Sequence, residues 1–285
     1  MITTVIPVLN HSDLLYEILD TSAFSDLIII DNGSIPPLSS TKYRIVRNER
    51  NVGNYPIFKQ GFELSNGDII AYIHSDFVIW DIDWESKVEK VFKDHKDLGL
   101  LGFIGSTEID ASGGRGLGTV SNFQGKELLN NWKGSKAEIH GKRIHGFKYA
   151  AVIDGCSMIF RRKALEDIEF RTDFPIHHFY DRLMSCQMRE KGWRVGVLGI
   201  ASDHFSGQTA NTESAYMELA EQWMKTRYGS IESWAEKYKL WIQSVKNPSM
   251  NILPGSADHW LYLEAERMFL QEYRDEKHLI PYKEK

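Results

Sequence analysis

The chain has little cysteine. Cys156 and Cys186 are its only two in 285 residues, and that spacing forms neither a disulfide framework nor a metal-finger pattern. Such usage fits a reducing compartment. Positive charge is not in excess either. The formal net charge is −5, with no basic run, which excludes the electropositive face that nucleic-acid binding needs. No apolar run approaches the roughly 20 residues that span a bilayer. The opening Met1-Ile2-Thr3-Thr4-Val5-Ile6-Pro7 lacks the basic and long apolar regions of a secretory leader. A cytoplasmic location is therefore expected, with peripheral membrane contact left open. Internal repeats and low-complexity tracts are absent too. What is there is ordinary for a globular protein with one sizeable core: 42% hydrophobic and 26% charged residues.

The most informative features are two apolar runs that each end in an aspartate. Leu27-Ile28-Ile29-Ile30 runs into Asp31-Asn32-Gly33-Ser34, and Ile69-Ile70-Ala71-Tyr72-Ile73 runs into His74-Ser75-Asp76. Short apolar runs bounded by turn residues read as buried parallel strands. Ligands in open α/β sheets bind beyond the carboxyl ends of such strands, although Asp, Asn and Gly also make plain turns. Further strands are predicted at Thr3–Val8, Tyr43–Val46, Leu98–Ile104, Ala150–Phe160 and Trp193–Leu198. Helical spacing is read after the first strand (Leu14, Leu15, Ile18, Leu19), before the fourth (Ile57 to Leu64), at about 84–95, and over Arg162–Ile168 and Arg182–Lys191. This alternation predicts an α/β domain, a mostly parallel central sheet with helices on both faces.

The stretch Gly105–Gly146 is rich in Gly, Ser and Asn and shows no clear period. So long a segment in a compact domain is usually functional. Its run Gly113-Gly114-Arg115-Gly116-Leu117-Gly118 lacks the strand and helix of a phosphate-binding fingerprint. It is read as a mobile loop, with Arg115 able to meet a diphosphate, or as a flexible connection. Beyond about residue 210 the pattern turns helical, with aromatic stripes such as Tyr216, Trp223, Trp234 and Trp241 that read as packing faces. Two units are expected, 1–210 and a C-terminal helical extension over 211–285.

Taken together, Val5-Ile6-Pro7, Ile30-Asp31-Asn32-Gly33-Ser34, Asn51-Val52-Gly53 and His74-Ser75-Asp76 resemble the family 2-like nucleotide-sugar glycosyltransferases of the GT-A fold. The resemblance covers roughly residues 1–205, with a gap over 105–146. It implies a Rossmann-like α/β fold and a metal-dependent, inverting transfer of sugar from a UDP-, GDP- or TDP-sugar to a hydroxyl of a glycan or other acceptor. By the same resemblance, Pro7, Asp31, Asn51, Lys59, Ser75 and Asp76 line the donor site, with Asp31 gripping the nucleoside. Asp76 matches the metal ligand that ends the D-x-D-like motif, and His204 of Ser202-Asp203-His204 completes the site for Mn2+ or Mg2+. The motif's first position holds His74 here, a departure that leaves it without an assigned role. A literal Asp-x-Asp, Asp81-Ile82-Asp83, is the lesser candidate, because Asp83 stands where a helix N-cap is expected before Trp84.

On the acceptor side, Asp154-Gly155-Cys156 with Arg161-Arg162 resembles the family's acceptor strand. Phe179-Tyr180-Asp181 stands where the family often has Glu-Asp. Asp181 is then the general base that takes the acceptor proton, or a simple N-cap. Asp154 is the reserve base. His177 and His178 read as acceptor-pocket or surface residues. Two rivals remain. A sugar-phosphate nucleotidyltransferase would carry a Gly-rich loop after the first strand, where Pro7-Val8-Leu9-Asn10 stands instead. A non-catalytic nucleotide-sugar or glycan-binding module would keep Asp31 and Asp76 without needing Asp181.

Overall fold

The computed structural model describes residues 1–10, 12–106, 119–121, 142–170 and 180–204. In chain order the first elements are β1 (Ile2–Val8), α1 (Ser12–Thr21), β2 (Leu27–Asp31), β3 (Arg44–Arg47), α2 (Asn54–Leu64), β4 (Ile69–Ile73), β5 (Phe77–Ile79), α3 (Trp84–Asp94), β6 (Leu98–Gly102) and β7 (Ile104–Ser106). There follow β8 (Thr119–Ser121), β9 (Lys142–Arg143), β10 (Gly146–Ala150), β11 (Val152–Ile153), β12 (Ser157–Arg161), α4 (Arg162–Glu166), α5 (Tyr180–Glu190), β13 (Arg194–Gly199) and β14 (Ser202–His204).

Eight strands form the central sheet in the order β10-β13-β6-β12-β4-β1-β2-β3. The pairs β1–β2, β1–β4, β2–β3 and β6–β13 are parallel, whereas β12 runs against both β4 and β6, and β10 against β13. The sheet is therefore mostly parallel, as predicted. Its two faces are built by strict alternation. Val5, Ile28, Ile30, Ile70, Tyr72, Met158 and Phe160 point to one core, which Tyr55, Ile57 and Phe58 of α2, Ala164 of α4, and Met184 and Met188 of α5 cover. Ile6, Ile29, Ala71, Ile73 and Ile159 point to the other, covered by Leu15 and Leu19 of α1 and Trp84, Val88 and Phe92 of α3. Each fully buried aliphatic side chain stabilises the fold by about 1.5–3 kcal/mol relative to exposure, so burial on both faces makes these strands continuous apolar runs.

The chain leaves β1 toward β2 and β3 on one side and returns to β4 on the other. In open α/β sheets such a reversal, here at the carboxyl ends of β1 and β4, marks the place where ligands bind. Arg161 and Arg162 tie down helix ends away from it. The Arg161 guanidinium donates to the carbonyls of Phe92, His95 and Leu98, and Arg162 to those of Ser65 and Gly67, an arrangement that satisfies orphan C-terminal carbonyls.

Three predicted elements differ. The single strand expected over Leu98–Ile104 is broken at Phe103, whose N–H donates to Ser157 Oγ at 3.0 Å rather than into the sheet. The single strand expected over Ala150–Phe160 is instead the end of β10, then β11 and β12, the last two split by a turn in which Asp154 Oδ1 accepts the Cys156 N–H at 3.0 Å. The stretch read as irregular contains β7, β8 and β9, which with β11 form a four-stranded sheet ordered β11-β7-β8-β9. The Gly113–Gly118 run with Arg115, His177, His178, and the division at 210 with its helical extension lie outside the described residues. Among the described residues no helix is long and apolar enough to cross a membrane.

Candidate active site

The fourth strand delivers the chemistry. After Ile73 the chain turns, with the Phe77 N–H on the His74 carbonyl at 3.1 Å, and enters β5. There it pairs antiparallel with β14, setting His204 opposite Phe77 and Asp203 opposite Val78. Trp80 Nε1 locks this ribbon by donating to Asp203 Oδ2 at 2.6 Å. The pairing spans more than a hundred residues of sequence and brings His204 Nε2 to 3.2 Å from Asp76 Oδ1. His74 Nδ1 stands 3.7 Å from the same oxygen. The donor atoms of His74, Asp76 and His204 all lie within 4.8 Å of one another. Two imidazoles and a carboxylate this close fit a divalent transition ion.

Burial alone would raise the Asp76 carboxyl, but the charge and hydrogen bond of His204, with His74 behind, outweigh it and hold the group below its ordinary range. It is ionised at neutral pH. Desolvation pushes the His74 imidazole below its ordinary value, against the opposing pull of Asp76. A neutral imidazole is the form that binds metal.

The residues expected on the acceptor side adjoin this cluster. The turn before β12 reaches it directly, with the His74 N–H on the Cys156 carbonyl at 3.0 Å. Asp154, half-buried in that turn, groups with Cys156 and His204 as a second set of metal-competent atoms. Cys156 is buried and in no disulfide. Asp181, in the first turn of α5, is 5% exposed, and its Oδ2 accepts the Gly155 N–H at 3.1 Å. Tyr180, one residue before it, places its hydroxyl 2.7 Å from His74 Nε2. Burial foremost, with Asp181 and Asp154 adding to it, raises the Tyr180 phenol well above its ordinary value, so it remains a hydroxyl.

Of the residues expected on the donor side, Pro7 and Asp31 sit at the ends of β1 and β2. Pro7 is half-buried near the end of β1, opposite Ile30. Asp31 is 0% exposed. Its Oδ1 accepts the Ser34 N–H at 2.8 Å, and its Oδ2 accepts the Leu38 N–H at 3.0 Å and pairs with Arg47. Burial alone would raise this carboxyl, yet the bonds from Ser34, Leu38 and Arg47 hold it below its ordinary value. Asp31 is thus enclosed by the loop that it holds. Gly33 is required in that loop by its φ of +93° and by the Arg50 backbone, 2.7 Å from where a Cβ would stand. Asn51 Oδ1 accepts from Asn32 Nδ2 at 2.7 Å and from the Gly53 N–H at 3.0 Å, so it braces the same loop. Lys59 stands 52% exposed on α2, 3.9 Å from Glu63. Ser75 is half-buried between His74 and Asp76. At Asp81-Ile82-Asp83, both carboxylates are held by Lys87, at 2.7 and 3.0 Å. Asp83 takes the N-cap position of α3 but makes no side-chain cap.

The sequence reading therefore placed Asp76 and His204 in one cluster and left out its remaining members. His74, Tyr180 and Cys156 join through contacts between distant segments. The signal that was available for His74 is its i, i+2 spacing from Asp76, which sets both side chains at one strand end.

A family model described as "Glycosyltransferase like family" matches residues 54–278. No curated protein sequence matches the chain. Among solved structures, the fold is similar to that of GalNAc-T7 with UDP, GalNAc and Mn2+, at 12% identity and a TM-score of 0.54, covering 99% of this chain and 58% of that one. It is also similar to the mannosyltransferase PcManGT from Pyrobaculum calidifontis in complex with GDP-Man and Mn2+, at 12% identity and a TM-score of 0.49, covering 97% of this chain and 88% of that one.

Proposed function

The chain belongs to the glycosyltransferase-like family and has the GT-A fold, and from that premise we propose that it is a metal-dependent, inverting glycosyltransferase. It moves a sugar from a UDP-, GDP- or TDP-linked donor to a hydroxyl of a glycan or other acceptor. The observation that carries this reading is the meeting of Asp76 and His204 at 3.2 Å at the carboxyl end of β4, next to the Asp154 and Asp181 carboxylates. The UDP and Mn2+ in the structure of GalNAc-T7 support a nucleotide donor and a divalent ion.

Asp76 and His204 would hold Mn2+ or Mg2+. When bound, the cation offsets the charge that grows on the diphosphate as the glycosidic bond breaks. Pro7, Ser75 and the Asp31–Leu38 loop, braced by Asn51, would meet the nucleoside, and Lys59 of α2 a phosphate. Asp181 takes the proton of the acceptor hydroxyl as that oxygen attacks the anomeric carbon. The Gly155 N–H orients the Asp181 carboxylate. One attack on the face opposite the leaving group inverts the anomeric centre. Asp154 is a second reading for the base, favoured by its greater exposure than that of Asp181.

Release of UDP, GDP or TDP from a panel of nucleotide sugars, with and without Mn2+ and with glycan acceptors, tests this function. Metal-stimulated release from one donor, lost in Asp76→Asn, and a product of inverted configuration by NMR are the expected results. Nucleotide binding without turnover of any donor would favour a binding module, and pyrophosphate release from a nucleoside triphosphate would favour a nucleotidyltransferase.

A further inference from the structure

We propose that His74 is a third protein ligand of the divalent cation and that Tyr180 positions it, so that the site presents two imidazoles and one carboxylate and favours Mn2+ over Mg2+. The inference rests on the metal-dependent reading above and says which ion the site is built for.

Three observations carry it. First, His74 faces the right atoms. Its Nδ1 is on the Asp76 side, 3.7 Å from Oδ1, and its ring centroid is 5.7 Å from that of His204. The three donor atoms, within 4.8 Å of one another, need only a small contraction to share one ion at bond lengths near 2.1 Å. Second, the other nitrogen of His74 is occupied. Nε2 lies 2.7 Å from the Tyr180 hydroxyl. With the proton on Nε2, the imidazole donates to the Tyr180 oxygen and the Nδ1 lone pair is directed at the cluster. Metal-ligating histidines are held this way, by a protein group on the nitrogen that does not bind.

Third, Tyr180 is itself immobilised. It is 6% exposed and its ring packs 5.5 Å from that of Phe58. Its hydroxyl lies over Gly155, where a Cβ would come within 2.3 Å of the oxygen. A hydroxyl held by a ring in a packed core fixes the imidazole more firmly than a water would.

The choice of ion follows from the donors. Mg2+ demands near-octahedral oxygen ligands and keeps its waters. Imidazole nitrogen suits first-row transition ions, and affinity for such a site rises along the series beyond Mn2+. A site with two oxygens at positions 74 and 76 would discriminate less. The cluster of Asp154, Cys156 and His204 shares one ligand with this site, so the two sets compete for one ion.

The test is Mn2+ binding to the full chain, alone and with UDP or GDP, followed by the EPR signal of free Mn2+ and by calorimetry. Magnesium competition gives the preference. Pulsed EPR of bound Mn2+ should show nitrogen couplings from two imidazoles, one of which disappears in His74→Gln. That variant should lose at least about tenfold in Mn2+ affinity, and Tyr180→Phe about 10- to 100-fold, the range seen for outer-shell partners of ligands. His74→Asp should bind Mn2+ and Mg2+ more evenly than the wild type. Thermal unfolding of each variant separates loss of the site from loss of the fold. Wild-type affinity in His74→Gln with loss in Asp76→Asn would overturn the inference and leave the proposed function standing. Loss in Cys156→Ser with wild-type affinity in His74→Gln would overturn it in favour of the competing set. Failure of the wild type to bind Mn2+ with any nucleotide would overturn both readings.

Discussion

Asp31 ends β2 and Asp76 follows β4, the two apolar strands that flank β1 in the sheet, and their surroundings are opposite. Around Asp31 the chain closes completely. Two backbone N–H groups and Arg47 take both carboxylate oxygens, and the residue is 0% exposed. Around Asp76 the partners are imidazoles, and the side chain keeps 17% of its surface. A carboxylate answered by N–H donors is satisfied by its own chain and fixes a turn. One whose neighbours are two imidazoles is surrounded by side chains that can themselves bind a divalent ion, and the donor atoms of His74, Asp76 and His204 converge within 4.8 Å of one another. The strand-then-aspartate pattern is common to both. What separates structure from chemistry is what the rest of the chain brings to the carboxylate.

The largest expected effect follows from that contrast. Asp76→Asn should leave the fold intact, by circular dichroism and unfolding midpoint, and remove several kcal/mol of charge stabilisation from the transfer step. At about 1.4 kcal/mol per decade, that is a loss of roughly 10³-fold in turnover. If instead Asp76→Asn unfolds the protein with turnover per folded molecule unchanged, the contrast with Asp31 is broken.

Asp181 comes next and sharpens the comparison, because it is nearly as buried as Asp31. As the general base, its change to Asn should lower kcat by about 10²- to 10⁴-fold with little change in donor KM. Were Asp181→Asn to cost stability alone, while Asp154→Asn abolished turnover, Asp181 would join Asp31 as a structural carboxylate and Asp154 would be the base.

How much of this was legible depended on sequence distance. Strand β4 is read at its observed bounds because Ile69–Ile73 is apolar at every position and flanked by Asn66-Gly67 and Asp76. The two-faced core follows from the same runs. The β5–β14 ribbon was missed because Phe77–Ile79 and Ser202–His204 are only three residues each, too short for a period, and are meaningful only as a pair. The break at Asp154 within Ala150–Phe160 was hidden by apolar residues on both sides of it. His74 was left without a role because the family pattern predicts an acid there, and the hydroxyl that orients it lies 106 positions away. Local pattern fixes elements, whereas the site is assembled from contacts that no local pattern encodes.

A smaller effect, and one of opposite kind, is expected at the other strand end. Asp31→Asn should destabilise the fold by about 1–3 kcal/mol, the usual scale for lost hydrogen bonds to a charged group. The effect has a definite pH dependence. The folded-state pKa of Asp31 is depressed below 3.8, so its contribution is full above the unfolded carboxyl's value and is lost as pH falls from there through the lower folded value. Urea midpoints of wild type and Asp31→Asn should therefore differ at neutral pH and converge in acid. A difference that persisted or grew in acid would mean that the charge of Asp31 is not what holds the loop.

The smallest effect is expected at the one place where the sequence spells Asp-x-Asp outright. Asp81 and Asp83 share Lys87 between them, so their charge is met by an ammonium one helical turn into α3, and Asp83 stands in open solvent at 62% exposure. Exposed pairs of this kind contribute little. Asp83→Ala should leave Mn2+ affinity, turnover and the unfolding midpoint indistinguishable from wild type in parallel assays. A clear loss of Mn2+ affinity in Asp83→Ala would move the metal site off the end of β4. It would also mean that the literal motif outweighs the geometry of the two imidazoles. The expected silence would show the converse: a pair of acids at the right spacing is no site when a lysine of its own helix already answers them.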